Sequence, residues 1–315
     1  MTQLAKDILL GTAIGDALGV PYEFESRQQR NVDPATGMTG NRGFHNQSVG
    51  TWSDDTSMSL CLAEALLKEP FSLYDVADNF IQWFENGYWT ANGDVFDVGN
   101  TTRNAIMRLE QGVIPERAGD DGLNQNGNGS LMRILPLLLL IKDYPLYGRF
   151  EWVSKISGMT HRHAISVFAC YFYLEFANLL VVLKDKWKTY GYVQNNLKDY
   201  IEALSIDVGL EYFGRLLNGN IGEIPKDEIK STGFVIDTLE ASIWCLLNTD
   251  NYKEAVLLAV NLGDDTDTTA AVTGGLAGIL YGYATIPKKW LNVLKRKDDI
   301  IGLAEKLDNI YCQNH

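Results

Sequence analysis

Apolar residues recur at helical spacing through most of the chain. Leu4, Ile8 and Leu9 fall on one face of the first segment, and residues 58–68 repeat this spacing until Pro70 ends the segment. Apolar positions three and four residues apart line one side of a helix, whereas alternation at every second residue would indicate a strand. The pattern therefore predicts helices at both places.

Three further segments extend the helical pattern. Residues 162–184 are apolar nearly all round, which predicts a central helix buried on every side. Residues 238–249 and 252–262 each show a helical repeat and are joined by a tight Asp-Asn turn. No alternating strands, βαβ rhythm, linker or internal repeat is evident, so we expect an all-α protein with one domain of roughly ten or more helices.

Glycine recurs at every fourth residue in two segments near the ends of the chain. The positions are Gly11, Gly15, Gly19, Gly274, Gly278 and Gly282. Glycine inside a helix costs about 1 kcal/mol relative to alanine, so a regular series needs a reason. Small residues at this spacing allow two helix backbones to approach closely, and we expect the first helix to pack against the helix that begins near Asp267. The alternative is that these glycines only make room for bulky neighbours.

Two short acidic stretches precede predicted helices. Asp54 and Asp55 lie in "GTWSDDTSMSL", and Asp265 and Asp267 lie in "NLGDDTDTTAAVTGG". A single acid at this position commonly caps a helix and interacts favourably with its dipole. Each stretch offers two carboxylates and a neighbouring hydroxyl, which is more than a cap needs. The candidate metal ligands are Ser53, Asp54, Asp55, Asp265, Asp267 and Thr268.

The residue types in these stretches indicate which cation they would bind. Oxygen ligands without an adjacent cysteine or histidine favour hard cations over zinc. Four carboxylates from two segments would neutralise two divalent ions, so we expect a binuclear Mg²⁺ or Mn²⁺ centre. A rival interpretation is that residues 265–269 match D-x-D-x-T, the nucleophile motif of haloacid-dehalogenase-type phosphatases. That motif normally follows a buried strand early in a domain, whereas here it follows a helix near the C-terminus.

Further candidate carboxylates lie in predicted loops. Glu23 follows the first helix, which Pro21 ends, and is expected on an exposed loop within reach of the metals. Asp97 precedes a Gly-Asn turn formed by Gly99 and Asn100. Neither carboxylate indicates a function by itself.

A Gly- and Asn-rich segment, residues 122–133, opens an apolar helical stretch. Backbone N–H groups of such a loop at a helix N-terminus bind phosphate, and Gly127 and Gly129 would allow its close approach. A flexible surface loop has the same composition and is the alternative. His161 and His163 are two positions apart, so they diverge on a helix and do not form a metal pair, although one of them can donate a hydrogen bond to an anion.

Composition narrows the class of protein. The 315 residues are 46% hydrophobic and 21% charged, and the formal net charge of −13 argues against nucleic acid as the main partner. The four cysteines are far apart and lack C-x-x-C spacing, which is typical of thiols in a reducing cytoplasm. The N-terminus lacks an unbroken apolar run, and the most apolar run, 134–141, is too short to span a bilayer. We therefore expect a soluble cytoplasmic protein without a membrane span.

Seven motifs in order over nearly the whole chain resemble the ADP-ribosylglycohydrolase family, most of all its bacterial branch that includes the dinitrogenase-reductase-activating glycohydrolase. They are "GTAIGDALGVPYEF", "GTWSDDTSMSL", "FDVGNTT", "NGNGSLMRILP", "THRH", "GFVIDTLEASIWC" and "NLGDDTDTTAAVTGG" with the "LAG" that follows it. The resemblance implies one compact orthogonal helical bundle over residues 1–315, with two Mg²⁺ or Mn²⁺ ions. It also implies hydrolysis of the N- or O-glycosidic bond between ADP-ribose and a protein side chain.

The resemblance also assigns roles to residues. The family's metal ligands fall on the six residues already named, and its catalytic carboxylates on Asp97, Glu23 and Asp55. The implied substrate-binding residues are Gly99, Asn100, Gly127, Asn128, Gly129, Ser130, His161 and Phe234. Two departures are Ser53, where threonine is common, and Phe234, where tyrosine is common.

The resemblance further implies the partners. The form "NGNGSLMR" favours arginine-linked ADP-ribose on a protein, while serine-linked ADP-ribose and O-acetyl-ADP-ribose, a small molecule, stay open. A catalytically silent binding or structural relative is the alternative from another class, and the intact acidic set argues against it. A monomer is expected.

Overall fold

The computed structural model describes residues 3–204 and 209–312, and in these ranges the chain is helical without strands. The only β-type pairings there are isolated bridges, Asp120 with His161 and Gly127 with Phe234. Sixteen α-helices fall within the described residues: α1 Leu4–Gly19, α2 Arg27–Val32, α3 Asp54–Ala65, α4 Leu73–Asn86, α5 Asn100–Glu110, α6 Pro115–Ala118, α7 Leu138–Ile141, α8 Leu146–Gly158, α9 Ala164–Leu183, α10 Lys186–Leu204, α11 Gly214–Leu217, α12 Val235–Leu247, α13 Tyr252–Val260, α14 Thr266–Tyr281, α15 Lys288–Leu291 and α16 Lys297–Tyr311. The predicted all-α class is confirmed.

Short 3₁₀ helices join several of these elements. They are Val20–Tyr22, Leu123–Gln125, Leu135–Leu137, Leu210–Phe213, Ile221–Glu223, Lys226–Glu228 and Tyr283–Thr285. The first of them continues directly from α1 and contains Pro21, so the α-helix ends at Gly19 as the proline requires.

Helices α1 and α14 pack against each other along the two glycine series. A Cβ added to Gly15 would lie 2.0 Å from the carbonyl oxygen of Ala270, and one added to Gly11 would lie 2.4 Å from that of Gly274. Gly19 meets the backbone of Asp267 in the same way, so the helices run antiparallel and the C-terminal end of α1 meets the N-terminal end of α14. The predicted close packing is therefore confirmed, and only glycine permits it at these positions.

Helix α9 forms the centre of the core, as its apolar sequence predicts. It is long and apolar enough to cross a membrane, but most of its residues are buried by other helices. The Tyr173 hydroxyl donates to the carbonyl oxygen of Val272 and ties α9 to α14. Burial within the protein thus accounts for the apolar composition of this helix.

The boundaries of the predicted helices agree in part with those in the structure. Helices α12 and α13 occupy the expected segments. Helix α3 ends at Ala65, however, instead of continuing to the residues before Pro70. The backbone N–H groups of Leu67 and Lys68 donate to the carbonyl oxygens of Glu64 and Ala65, three residues earlier in the sequence. The chain therefore leaves the α-helix in a tighter turn.

Candidate active site

Two helix N-termini carry the acidic stretches. Ser53 is the N-cap of α3 and accepts a hydrogen bond from the backbone of Asp55, and Asp265 is the N-cap residue of α14. The Thr268 hydroxyl on α14 donates to Oδ1 of Asp55 at 3.3 Å, across a separation of 213 residues in the sequence. The glycine packing of α1 on α14 and the contact of α1 with α3 bring these helix ends together.

Asp16, on α1, holds the start of α3 in place. Its oxygens accept hydrogen bonds from the backbone N–H groups of Ser53 at 2.9 Å and Thr56 at 3.0 Å, and from the Thr56 hydroxyl at 2.6 Å. One carboxylate oxygen each of Asp16, Asp55 and Asp267 lies within 4.8 Å of the others. Asp16 is not among the residues predicted from the sequence. A signal was available, because Asp16 is the one charged residue among the small and apolar residues 8–19.

Unpaired carboxylate oxygens show that this group fits a cation. Oδ2 of Asp55, Oδ1 of Asp265 and both oxygens of Asp267 are buried without a hydrogen-bond partner. Burial first, and neighbouring carboxylates second, raise the pKa of Asp55 and of Asp267 well above the ordinary value. A buried carboxylate stays ionised only beside compensating charge, and an all-oxygen set of this kind matches a hard divalent cation.

A second group joins Glu23, His45 and Asp97. Nε2 of His45 lies 2.5 Å from Oε2 of Glu23 and 3.6 Å from Oδ1 of Asp97. Burial, followed by the charges of nearby aspartates, raises the pKa of Glu23 to about 11 and that of Asp97 to about 10. Nothing in the sequence around His45 distinguishes it, so its place in this group depends on the folded loop alone.

The expectation that Glu23 lies on an exposed loop is wrong, because its side chain is only 4% exposed. The preceding residue, Tyr22, explains the difference. Its ring lies between the guanidinium groups of Arg30 and Arg42, at 4.3 and 4.5 Å from the ring centroid, and these cation–π contacts hold the loop against the protein. Glu25 forms ion pairs with both arginines and so holds them on either side of the Tyr22 ring.

The acidic groups border a cavity of about 330 Å³, at the lower end of the range for small-molecule sites. Carboxylates and loop glycines line different parts of it. The lining includes Glu23, Phe24, Asp54, Asp97, Gly99, Asn100, Thr102, Asn124, Gln125, Gly127, Asn128, Gly129, Met132, His161, Gly233, Asp265 and Thr268. Ser53, Asp55 and Asp267 are more deeply buried and do not line it.

The glycine loop is fixed to the acidic group by Asn128. The Asn128 amide donates to Oδ2 of Asp265 at 2.8 Å and to the Thr238 hydroxyl at 2.9 Å. A Cβ added to Gly129 would lie 2.8 Å from Cε1 of His161, so glycine is required for the imidazole to reach the cavity. The loop leads into turns and then into the 3₁₀ helix Leu135–Leu137, which contains Pro136 and precedes α7. The expected helical stretch is present, but it does not begin at the loop itself.

His161 enters the cavity as a neutral ring. Burial, and then the charge of the buried Arg133, lowers the pKa of His161 to about 3. Its Nδ1 lies 2.8 Å from the Thr160 hydroxyl, and the Arg133 guanidinium hydrogen-bonds the carbonyl oxygen of Gly129. His161 can therefore form hydrogen bonds to a ligand without contributing positive charge.

Other predicted substrate-binding residues are placed differently. Gly99 and Asn100 line the cavity, but they begin α5 and do not form a turn. The Ser130 hydroxyl is buried behind the loop, where it contacts Ser157 at 3.0 Å. Phe234 lies just outside the cavity, half-buried, and its ring contacts Tyr212 with 6.3 Å between centroids.

Comparisons with known proteins cover nearly the whole chain. A family model described as ADP-ribosylglycohydrolase matches residues 2–314. The chain is 38% identical over 306 residues to the ADP-ribosylarginine hydrolase Tri1 of Serratia proteamaculans, covering 96% of this chain and 78% of that protein. It is 31% identical over 302 residues to the ADP-ribosyl-[dinitrogen reductase] glycohydrolase of Rhodospirillum rubrum, covering 93% and 90%. A solved structure, an ADP-ribosylglycohydrolase-related protein complex, superposes with a TM-score of 0.81 at 29% identity and covers 98% of this chain and 99% of that chain.

Proposed function

Because the chain belongs to the ADP-ribosylglycohydrolase family and is a glycosidic-bond hydrolase, we propose that it removes ADP-ribose from modified arginine side chains with the help of two Mg²⁺ or Mn²⁺ ions. The family expected from the sequence is thus confirmed. The observation that carries the metal proposal is the set of unpaired, buried oxygens on Asp55, Asp265 and Asp267 beside the cavity. The preference for arginine draws on relatives whose names specify ADP-ribosylarginine.

The ions would be held from two sides. Ser53, Asp54 and Asp55 belong to the start of α3, and Asp265, Asp267 and Thr268 belong to the start of α14. Asp16 fixes the start of α3 to α1 through its hydrogen bonds, and α1 in turn packs against α14. Divalent ions in such a centre act as Lewis acids, orient substrate hydroxyls and lower the pKa of bound water.

The loop Gly127–Gly129 and the neutral His161 suit the diphosphate, because glycine lets a phosphate approach the backbone closely and the imidazole can form a hydrogen bond to it. The ribose then lies between the loop and Asp54, with C1 toward Glu23 and Asp97. As the bond from C1 to the side-chain nitrogen breaks, a bond from water oxygen to C1 forms, and carboxylates stabilise the oxocarbenium-like charge on the sugar. Asp97 or Glu23 accepts the proton of the water or supplies one to the leaving nitrogen.

Two other substrates and one other function fit the family. Serine-linked ADP-ribose and O-acetyl-ADP-ribose share the same sugar and are the alternative substrates. A silent binding relative would tolerate the loss of a metal carboxylate. This chain retains all four aspartates at the two helix ends, which favours an enzyme.

Replacing one of the proposed ligands tests the function. We expect Asp267→Ala to reduce Mg²⁺-dependent release of ADP-ribose from an arginine-modified protein by more than about 100-fold, since loss of outer-shell partners alone costs metal sites 10–100-fold. Far-UV circular dichroism should show an unchanged helix content. The matched control is Asp298→Ala, because Asp298 is an exposed acid in the first turn of α16. Full activity in Asp267→Ala would refute the metal assignment.

A further inference from the structure

An exposed aromatic side chain stands at the acidic side of the cavity. Phe24 lines the cavity, and the residue is 59% exposed. Its φ of 65° lies in the left-handed region, which is unfavourable for a bulky residue. Residues held in this way are enriched where a ligand is bound. The chain therefore keeps an apolar ring exposed at the expense of backbone strain.

The surroundings of Phe24 fix the ring in place. The Phe24 backbone N–H donates to the carbonyl oxygen of Asp264 at 2.8 Å, which ties the loop to the segment before α14. Phe44, 75% exposed, contacts Phe24 edge-on with 5.1 Å between centroids. His45 contacts Phe44 at 5.1 Å and Phe96 at 5.0 Å. We call Phe24, Phe44, His45 and Phe96 the aromatic rim.

The aromatic rim adjoins two carboxyl groups, and among the described residues neither forms an ion pair with a lysine or an arginine. Glu23 precedes Phe24, and Asp97 follows Phe96, and both contact His45. The loop Gly127–Gly129 and His161 line another part of the cavity, where Asp265 accepts a hydrogen bond from Asn128. The carboxyl groups of Glu23 and Asp97 offer oxygen acceptors, which suit the N–H groups of a cation better than the oxygens of a diphosphate. That part of the cavity is therefore left for the group bonded to C1 of the ribose.

We propose that the aromatic rim is the subsite for the guanidinium group of the arginine that leaves. The face of Phe24 contacts the planar cation, and Glu23 and Asp97 accept its N–H groups, because a cation beside a carboxyl group favours the ionised form. Phe44 and His45 act as positioning residues, since they contact the Phe24 ring and not the cavity. The inference rests on the proposed function and names the part of the protein that selects arginine over neutral side chains.

The test compares two substitutions at one position. Phe24→Leu keeps Cβ and Cγ and hence the same backbone strain, but removes the aromatic face, whereas Phe24→Tyr keeps that face. We expect Phe24→Leu to lower kcat/KM on an arginine-ADP-ribosylated peptide by about 3- to 30-fold, the range for a cation–π contact, with Phe24→Tyr close to wild type. On a serine-ADP-ribosylated peptide, whose leaving group is neutral, the loss in Phe24→Leu should be at least about threefold smaller.

A control substitution and a binding measurement separate the possible failures. Tyr147→Leu removes an aromatic ring of similar exposure from α8, outside the cavity, and should change neither substrate. Agmatine, a guanidinium compound, is titrated into protein saturated with ADP-ribose and Mg²⁺, and Phe24→Leu should weaken its binding by a similar factor. Equal losses on both peptides, or unchanged agmatine affinity, would overturn the inference. Wild-type protein inactive on both peptides would count against the proposed hydrolysis, and the agmatine titration alone would then decide the role of the rim.

Discussion

Buried acids in this protein differ in what satisfies their oxygens. The oxygens of Asp16 accept backbone and hydroxyl hydrogen bonds from the start of α3, so this residue serves the structure. Asp267, equally buried, has no hydrogen-bond donor on either oxygen. Since the desolvation cost is similar for both, we expect Asp267, and not Asp16, to need a cation.

Asp7, which lies outside the cavity, makes the free energy of unfolding depend on pH. Burial raises its pKa to about 6, against a backbone hydrogen bond from Tyr283 that lowers it. A raised pKa in the folded state means that Asp7 favours folding below its ordinary value of 3.8 and that this contribution is lost as the pH rises through 6. Asn at this position can still accept the Tyr283 hydrogen bond.

We therefore expect the free energy of unfolding of wild type, relative to Asp7→Asn, to fall by about 1 kcal/mol between about pH 4 and pH 7, after allowance for partial exposure. Urea unfolding of both proteins at each pH measures this difference, in which all other titrating groups cancel. Asp298→Asn, at an exposed site, serves as the control and should show no such trend. A constant difference across the pH range would contradict the assignment.

The pairing of α1 with α14 decides where the site lies. Gly11, Gly15 and Gly19 let the backbones of α1 and α14 come into direct contact. The Thr266 hydroxyl at the start of α14 then donates to the Gly19 carbonyl oxygen at 2.8 Å. A wider separation would move the start of α14 away from Asp16 and Asp55. The glycines therefore serve both packing and the geometry of the acidic group.

Gly15→Ala tests this element-level role. The added Cβ would lie 2.0 Å from a backbone oxygen that cannot move alone, so we expect a loss of about 3 kcal/mol in the free energy of unfolding. Gly302→Ala is the matched control in α16, because no atom lies within 4 Å of its added Cβ. That variant should gain up to about 1 kcal/mol from helix propensity. Equal behaviour of the two variants in urea titrations would show that the helices can separate without cost.

At the scale of the whole molecule, we expect the acidic groups to couple folding to cation binding. The chain has a formal net charge of −13, and seven acidic side chains meet around or beneath one cavity from segments far apart in the sequence: Asp16, Glu23, Asp54, Asp55, Asp97, Asp265 and Asp267. Bringing them together in the folded state is unfavourable without positive charge. A cation that binds only the folded state stabilises it by mass action.

Thermal unfolding measures this coupling. Mg²⁺ or Mn²⁺ at about 100 times its Kd should stabilise the protein by about 2.7 kcal/mol, and EDTA should reverse the gain. Asp267→Ala should show little gain, while Asp298→Ala should behave as wild type. NaCl at the same ionic strength controls for screening. An equal rise in Tm with NaCl would mean that no specific site is filled.

Local patterns in the sequence determined the helical class, the central helix α9 and the positions of the two acidic stretches at helix starts. Helical periodicity and capping residues depend on neighbours within one or two turns, so they can be read without a structure. The spacing of the glycines also indicated which helices would meet. The seven motifs are local patterns too, and together they indicated the family that the comparison over residues 2–314 confirmed.

Only the tertiary structure decided which side chains meet across the chain. The burial of Glu23 depends on Tyr22 between two arginines, and the placement of His45 depends on a loop without a local pattern. Asp16 and Ser130 form hydrogen bonds with Ser53 and Ser157, and no pattern in their own segments predicts these partners. Such contacts join residues tens to hundreds of positions apart, and their energies depend on packing and desolvation, which exist only once the helices have assembled.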